Sequence, residues 1–284
     1  MFTPRRENFR EHFAGDKCLI PASVFDPFSI RLAEDIGFEV GMVGGSSASL
    51  AVLGAPDLIV MTLTEFADQC RRMSRASSLP FCVDADHGYG NALNVRRTVE
   101  ELEAAGVAAM SIEDTVLPLR HGQAGTELLS LEEGVGKMKA ALDARRDAST
   151  VIVGRTSATG VTGLVDAIER GLAYQAAGVD ALFMIGVSTE EEVAALGNAF
   201  DVPLVLGGAL KIMPAEDLAR HGVRVCLTGH PVLPAAVRAM EEALLAMREG
   251  RPQDRPGGAD LMRRATRAED YDGWITDYLD GAKG

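Results

Sequence analysis

Eight short apolar runs, most of them β-branched, recur along the chain, and most are separated by a stretch of helical character. They read "CLIPASVF", "EVGMVGG", "PFCVDAD", "AAMSIED", "TVIVGRT", "ALFMIGV", "PLVLGGA" and "VRVCLTGH". Strands alternating with helices argue for a parallel α/β fold. The runs are apolar nearly throughout, as expected of strands covered on both faces. Residues 94–105 ("NVRRTVEELEAA") and 164–177 ("LVDAIERGLAYQAA") are examples of the intervening helices. "EAAGVAA", "YQAAGVDAL" and "ARHGVRV" each set a glycine between a helix end and a strand start, where the left-handed conformation ends a helix. Eight repeats in a chain of 284 residues fit a (β/α)8 barrel. An open doubly wound sheet is the alternative, and the lack of a G-x-G-x-x-G after the first run weakens it.

The expected organisation is a single barrel domain over 1–284 with a C-terminal helical tail over about 250–284. A Pro-bounded helix ("PAAVRAMEEALLAMREG") and a polar segment ("RPQDRPGGAD") lead into that tail, which holds the only tryptophan, Trp274. The tail is expected to pack on the barrel or on a neighbouring subunit, with disorder the competing reading for its last few residues.

Charge narrows the partners. With 28 basic and 41 acidic residues the net charge is -13, which repels phosphate backbones and argues against nucleic acid. A small anionic substrate would need a local cation or a metal ion. Cys18, Cys70, Cys82 and Cys226 are scattered without a C-x-x-C pair, so neither a zinc site nor a disulfide frame is indicated. The segment "MFTPRRENFREHF" has no apolar signal core. No apolar run approaches the ~20 residues of a membrane span. A cytoplasmic protein is the expectation.

A barrel of this class places its site at the C-terminal strand ends. There the second run ends in Gly-Gly-Ser-Ser (44–47), the third in Asp84 and Asp86, the fourth in Glu113 and Asp114, the fifth in Arg155 and the eighth in His230. Alternation along a strand would point Asp84 and Asp86 to the same side. Gathered carboxylates, with Asp57 as a further candidate, suit a hard cation such as Mg2+ or Mn2+. The competing reading is that each acid caps the following helix. Arg155 presents a planar fork for a substrate carboxylate, or else pairs with Glu113 or Asp114. Ser46 and Ser47 offer hydroxyls and backbone N–H groups to an oxyanion, or belong to a tight turn. His230, between Gly229 and Pro231, either donates a hydrogen bond and moves a proton or is merely structural. His87 is expected behind the ligands, because a hard cation prefers oxygen. "LGGALK" and "TGH" faintly suggest a phosphate-binding rim.

"VDADHGYGN", then "VAAMSIEDT", then "VGRTSA" resemble the phosphoenolpyruvate mutase/isocitrate lyase superfamily over roughly residues 5–245. The resemblance implies a (β/α)8 barrel whose last helix is exchanged between subunits, giving homodimers or homotetramers. It also implies Mg2+ and a 2-oxo acid. By position, Asp84 would touch the metal, while Asp57, Asp86 and Glu113 would hold it mainly through water. Arg155 would grip the substrate carboxylate, and the Ser46–Ser47 region would receive substrate oxygens.

The departures choose the branch. The C–C lyases of the superfamily carry a cysteine in the loop after the fourth strand; here that loop reads "TVLPLRHGQAGTELLS". The mutases carry a histidine near the end of the sixth strand, where this chain has Ile185. A cysteine-free loop together with Gly229-His230 is similar to the branch that decarboxylates oxaloacetate. The expected activity is Mg2+-dependent loss of carbon dioxide from that small 2-oxo dicarboxylic acid, with Arg155 and His230 catalytic. The alternatives are a lyase acting on a 2-methylisocitrate-like 2-hydroxy acid and, from a different class, a non-catalytic metal-binding subunit.

Overall fold

The structure is a computed structural model that describes residues 2–252 and 258–279. It divides into two compact units, Met1–Leu233 and Pro234–Gly284. In the first, α1 (Thr3–Ala14) precedes the strands β1 (Ala22–Ser23), β2 (Gly41–Val43), β3 (Phe81–Asp84), β4 (Ala109–Glu113), β5 (Val151–Thr156), β6 (Ala181–Met184), β7 (Leu204–Gly207) and β8 (Val223–Leu227). The helices between them are α2 (Pro27–Ile36), α3 (Gly45–Leu53), α4 (Leu63–Ala76), α5 (Ala92–Ala104), α6 (Leu131–Ala144), α7 (Ala158–Val161), α8 (Leu164–Ala177), α9 (Glu190–Ala199) and α10 (Ala215–Arg220).

The strands pair in sequence order, each parallel to the next. Leu19 closes the ring: its N–H donates to the Arg224 carbonyl at 2.8 Å and its carbonyl accepts from Cys226 at 2.9 Å. The result is the expected (β/α)8 barrel, with all eight apolar runs contributing their strands. β1 is the shortest of them, because Leu19 joins β8 from outside it.

Alternation along the strands sorts side chains into two cores. Val43, Phe81, Val83, Met110, Ile112, Ile152, Leu182 and Leu206 pack beneath the helices. Ala109, Val151, Val153, Ala181, Phe183, Val205 and Val225 fill the barrel with Phe9 of α1. The helices start where short polar side chains satisfy first-turn N–H groups. Thr62 with Glu65 and Thr189 with Glu192 form such boxes at α4 and α9.

The boundary between the units falls within α11 (Val232–Glu249); the second unit holds the remainder of that helix, α12 (Ala259–Thr266) and α13 (Ala268–Tyr278). Trp274 packs edge-on to Tyr271 at 4.9 Å. Val237, Met240, Leu244, Leu245, Tyr278 and Leu279 are exposed. The expected disorder of the last few residues, and part of the polar "RPQDRPGGAD" segment, lie outside the described residues. Among the described residues no helix is long and apolar enough to cross a membrane.

Candidate active site

Two-residue periodicity builds the site. Cys82 and Asp84, then Ala109, Ser111 and Glu113, then Val151, Val153 and Arg155 occupy alternate positions of β3, β4 and β5. The lower members of these series lie in the barrel interior, so Asp84, Glu113 and Arg155 form its last inward layer. Strand register sets Glu113 opposite Arg155 and Asp84 opposite Ser111.

Arg155 Nη1 donates to Asp84 Oδ2, and Nη2 lies 3.5 Å from Glu113 Oε2. The Phe183 ring lies under the guanidinium at 5.4 Å, a stacking that favours a fixed cation. Burial acts to lower the Arg155 pKa, but Asp84 and Glu113 outweigh it and the net shift is upward. The suggested partner Asp114 is not used. It follows β4 on the outward side, fully buried, and accepts from Arg170 Nη1 at 2.9 Å, Tyr174 Oη at 2.6 Å and Thr156 Oγ1 at 3.0 Å.

Asp86 reaches the site by a different route from the one alternation suggests. β3 ends at Asp84, and Asp86 takes a left-handed φ of 48°. The turn is held by the Asp86 N–H donating to Asp84 Oδ1 at 3.2 Å and by the Glu113 N–H donating to the Asp86 carbonyl at 2.9 Å. A Cβ on Gly45 would stand 2.8 Å from Asp86 Oδ1 and 3.5 Å from Asp57 Oδ1, so both carboxylates converge on the first turn of α3. An anion there is favoured by the helix dipole. These acids do not cap the next helices; Thr62, Asn91 and Ser130 do.

The carboxylates outnumber the cations. Burial, then Asp84, Asp57 and Glu113, push Asp86 up to about 9. Burial and Asp84 also raise Asp57. Burial chiefly raises Glu113, against the pull of Arg155. Carboxyls raised by burial and by one another's charge are what a divalent cation relieves, and an all-oxygen set suits a hard ion. Among the described residues no three of His, Cys, Asp or Glu stand close enough to coordinate one ion directly.

Gly-Gly-Ser-Ser forms the N-terminal turn of α3 rather than a tight turn. Ser46 is exposed, whereas Ser47 is buried and its hydroxyl donates to the Gly44 carbonyl at 2.9 Å. His230 follows β8, with Nδ1 3.0 Å from Ser23 Oγ at the end of β1. A Cβ on Gly44 would fall 2.0 Å from His230 Nε2, so only glycine permits that approach. Burial lowers the His230 pKa, partly opposed by Asp84 and Asp57, which keeps the imidazole neutral near neutral pH. A cavity of about 440 Å³ is lined by Asp84, Arg155, Phe183, Lys211, Thr228 and His230, among others.

Some participants were not anticipated. Ser23 ends β1, inside the first apolar run, and was within reach of the strand-end rule. Thr115 Oγ1 donates to Glu113 Oε2 at 2.6 Å. Lys137 of α6 is 2% exposed, and its Nζ donates to the His87 carbonyl at 2.8 Å, tying down the loop that carries Asp86. Its signal was its place on the apolar stripe of Gly134, Met138 and Ala141. His87 itself is buried, its pKa lowered to about 4 by burial and by Lys137.

A curated oxaloacetate decarboxylase of Bradyrhizobium diazoefficiens is 55% identical over 270 residues, 94% of each chain. The solved complex of a phosphonopyruvate hydrolase with oxalate and Mg2+ superposes with a TM-score of 0.86 at 27% identity, covering 97% of this chain and 99% of that one. An oxaloacetate acetylhydrolase in complex with the inhibitor 3,3-difluorooxalacetate gives 0.86 at 26% identity, covering 97% of both. The family model described as phosphoenolpyruvate phosphomutase matches residues 9–248. That span contains every strand of the barrel and every side chain of its carboxylate rim, and the chain belongs to the phosphoenolpyruvate phosphomutase family.

Proposed function

We propose that the chain is a carboxy-lyase that converts oxaloacetate to pyruvate and carbon dioxide with a divalent cation, Mg2+ or Mn2+. The observation that carries this reading is the cavity in which Asp84, Arg155 and His230 meet. It joins a carboxylate for an ion, a cation for an acid substrate and a neutral imidazole, on a chain 55% identical to a curated oxaloacetate decarboxylase. Asp84 would hold the ion directly, with Asp57, Asp86 and Glu113 around it through water. When bound, such an ion supplies Lewis-acid polarisation of a 2-oxo group.

The chain's own groups do the rest. The Arg155 guanidinium, on the cavity wall, would bind the C1 carboxylate of the substrate and fix that end. Ser46 and the first-turn N–H groups of α3 receive substrate oxygens. The C3–C4 bond breaks, its electron pair moves toward the C2 oxygen, and carbon dioxide leaves. His230, held by Ser23, orients the departing carboxylate, and a proton delivered to C3 completes pyruvate. A neutral imidazole suits that place, because a full positive charge would stabilise the carboxylate more before the bond breaks than after. No covalent intermediate is required, so the cysteine-free loop after β4 is no obstacle.

The apolar side chains exposed on α11 and α13 are read as a face covered by a second copy, giving a dimer or tetramer. Four free, scattered cysteines fit a reducing cytoplasm. The test mixes purified chain, Mg2+ and oxaloacetate and follows pyruvate. Formation above the spontaneous rate that stops with a chelator is expected. No metal-dependent pyruvate would sink the reading.

A further inference from the structure

One cation on the cavity wall takes no part in the chemistry above. Lys211 ends a single 3-10 turn, Ala209–Lys211, that follows β7 at once because Gly208 adopts a φ of 72°. The Gly208 N–H donates to the Leu227 carbonyl at 2.7 Å, which binds this turn to the end of β8 and so to the rim bearing His230. Lys211 lines the cavity with Asp84, Arg155 and His230. It is exposed, and among the described residues it makes no ion pair or side-chain hydrogen bond. Arg155, by contrast, is engaged with Asp84 and Glu113.

We infer that Lys211 is the specificity-determining cation that selects a dicarboxylate over a monocarboxylate at this site. The inference rests on the decarboxylase reading for the charge of the substrate. A chain of net charge -13 repels a dianion on approach, and an unpaired ammonium at the cavity wall reverses that field locally. Asp84 and Arg155 stand at the ends of β3 and β5, Lys211 and His230 beyond β7 and β8. A four-carbon diacid fixed at one end by Arg155 therefore extends its second carboxylate toward Lys211. The carboxylate that leaves as carbon dioxide loses its charge in the reaction. A cation attracted to it stabilises the bound substrate at least as well as the transition state, so the contribution of Lys211 falls on substrate capture and not on turnover.

The experiment has two parts. In the first, steady-state kinetics on oxaloacetate with Mg2+ compare wild type, Lys211→Arg, Lys211→Gln and Lys211→Glu. Lys211→Gln should raise KM about five- to tenfold and Lys211→Glu further, with kcat unchanged or slightly raised and Lys211→Arg near wild type. Added salt should raise the wild-type KM more steeply than that of Lys211→Gln. In the second, calorimetry on the Mg2+-loaded chain measures malate, a diacid that keeps its second carboxylate, against lactate, a monoacid. Wild type should prefer malate, and Lys211→Gln should lose that preference by weakening malate alone.

An unchanged KM in Lys211→Glu, or no malate preference in wild type, overturns the inference. So does a Lys211→Gln chain that weakens malate and lactate equally. A wild type that forms no pyruvate yet prefers malate through Lys211 leaves this inference standing and removes the decarboxylase reading instead.

Discussion

The two ends of the barrel use the same residue types to opposite effect. At the N-terminal end, α1 lays its arginines across the strand starts. Arg6 Nη1 meets Asp147 Oδ2 at 2.7 Å, Arg10 Nη2 meets Asp180 Oδ1 at 2.8 Å, and Arg145 Nη1 takes Asp180 Oδ2 at 2.6 Å. Glu103 accepts from Thr150 Oγ1 at 2.9 Å and from the N–H groups of Arg146 and Asp147. Burial acts to raise Asp147, but hydrogen bonds from Arg6, Ser149 and Thr3 outweigh it and hold the carboxyl well below its usual range. At the C-terminal end, Asp57, Asp84, Asp86 and Glu113 crowd around the guanidinium of Arg155, and Asp86 is pushed up to about 9. The first end is electrically complete within the chain. The second carries more carboxylates than cations, and that contrast is what singles it out as the proposed working end.

The comparison breaks most visibly at Asp84. Asp84→Asn removes the carboxylate proposed to hold the ion, and metal-dependent pyruvate formation should fall by about a thousandfold or more. Asp84 is both the ion-pair partner of Arg155 and one of a repelling set, so the two effects oppose and the melting temperature of the metal-free chain should fall less than that of Asp147→Asn. Asp147→Asn is the mirror experiment. It takes away the carboxylate that neutralises Arg6, whose side chain is 5% exposed and is left with the Val107 and Glu103 carbonyls, and should cost about 2–4 kcal/mol of stability in denaturant titration. Turnover per folded molecule should stay within about twofold. If Asp84→Asn kept its activity, or if Asp147→Asn lost activity without losing stability, the division of labour between the ends would be wrong.

pH sharpens the same contrast. The raised Asp86 keeps, in the folded state, a proton that the unfolded chain releases near about pH 4. The metal-free fold therefore loses stability as pH rises from about 4 toward about 9. Asp147 runs the other way: its depressed pKa contributes stability above about pH 4, and that contribution is lost as pH falls below it. Thermal melts of the metal-free chain should show a midpoint that declines between about pH 6 and about pH 9. Mg2+ should raise the midpoint more at the higher pH, where it no longer displaces a proton. Asp86→Asn should flatten the decline; a wild-type midpoint that rose over this range would contradict the crowding of the rim.

Legibility follows the same division. The order and alternation of apolar runs made the barrel readable, and with it the strand ends that carry Asp84, Glu113 and Arg155; that these three form one inward layer emerged only from the strand register. Asp86 was placed in the right neighbourhood by the wrong rule, because strand alternation stops at Asp84 and a left-handed turn carries the chain from there. Ser47 was a fair candidate by position, yet its hydroxyl is spent on the Gly44 carbonyl, a local bond that spacing does not reveal. Asp114 looked interchangeable with Glu113, but adjacent strand residues face opposite ways, and Asp114 went to Arg170 and Tyr174. Ser23 and Lys137 depended on partners 207 and 50 residues away in sequence, and no local pattern carries that information.

Ser23 gives the smallest and most specific prediction. Its Oγ lies 3.0 Å from His230 Nδ1, and His230 is otherwise placed by the absence of a Cβ at Gly44. A second partner of this kind fixes how the ring is turned. Ser23→Ala removes that control but leaves the imidazole in the cavity, so kcat should fall about three- to tenfold, well short of the loss at Asp84. KM should hold, because the groups assigned to substrate capture, Arg155 and Lys211, are untouched. Ser23→Thr, which restores a hydroxyl, should recover most of the rate. A merely structural role for Ser23 would lower the melting temperature and leave kcat per folded molecule alone. That outcome would also weaken the case that His230 acts on the substrate at all, since a ring that works in any orientation is not orienting a departing carboxylate.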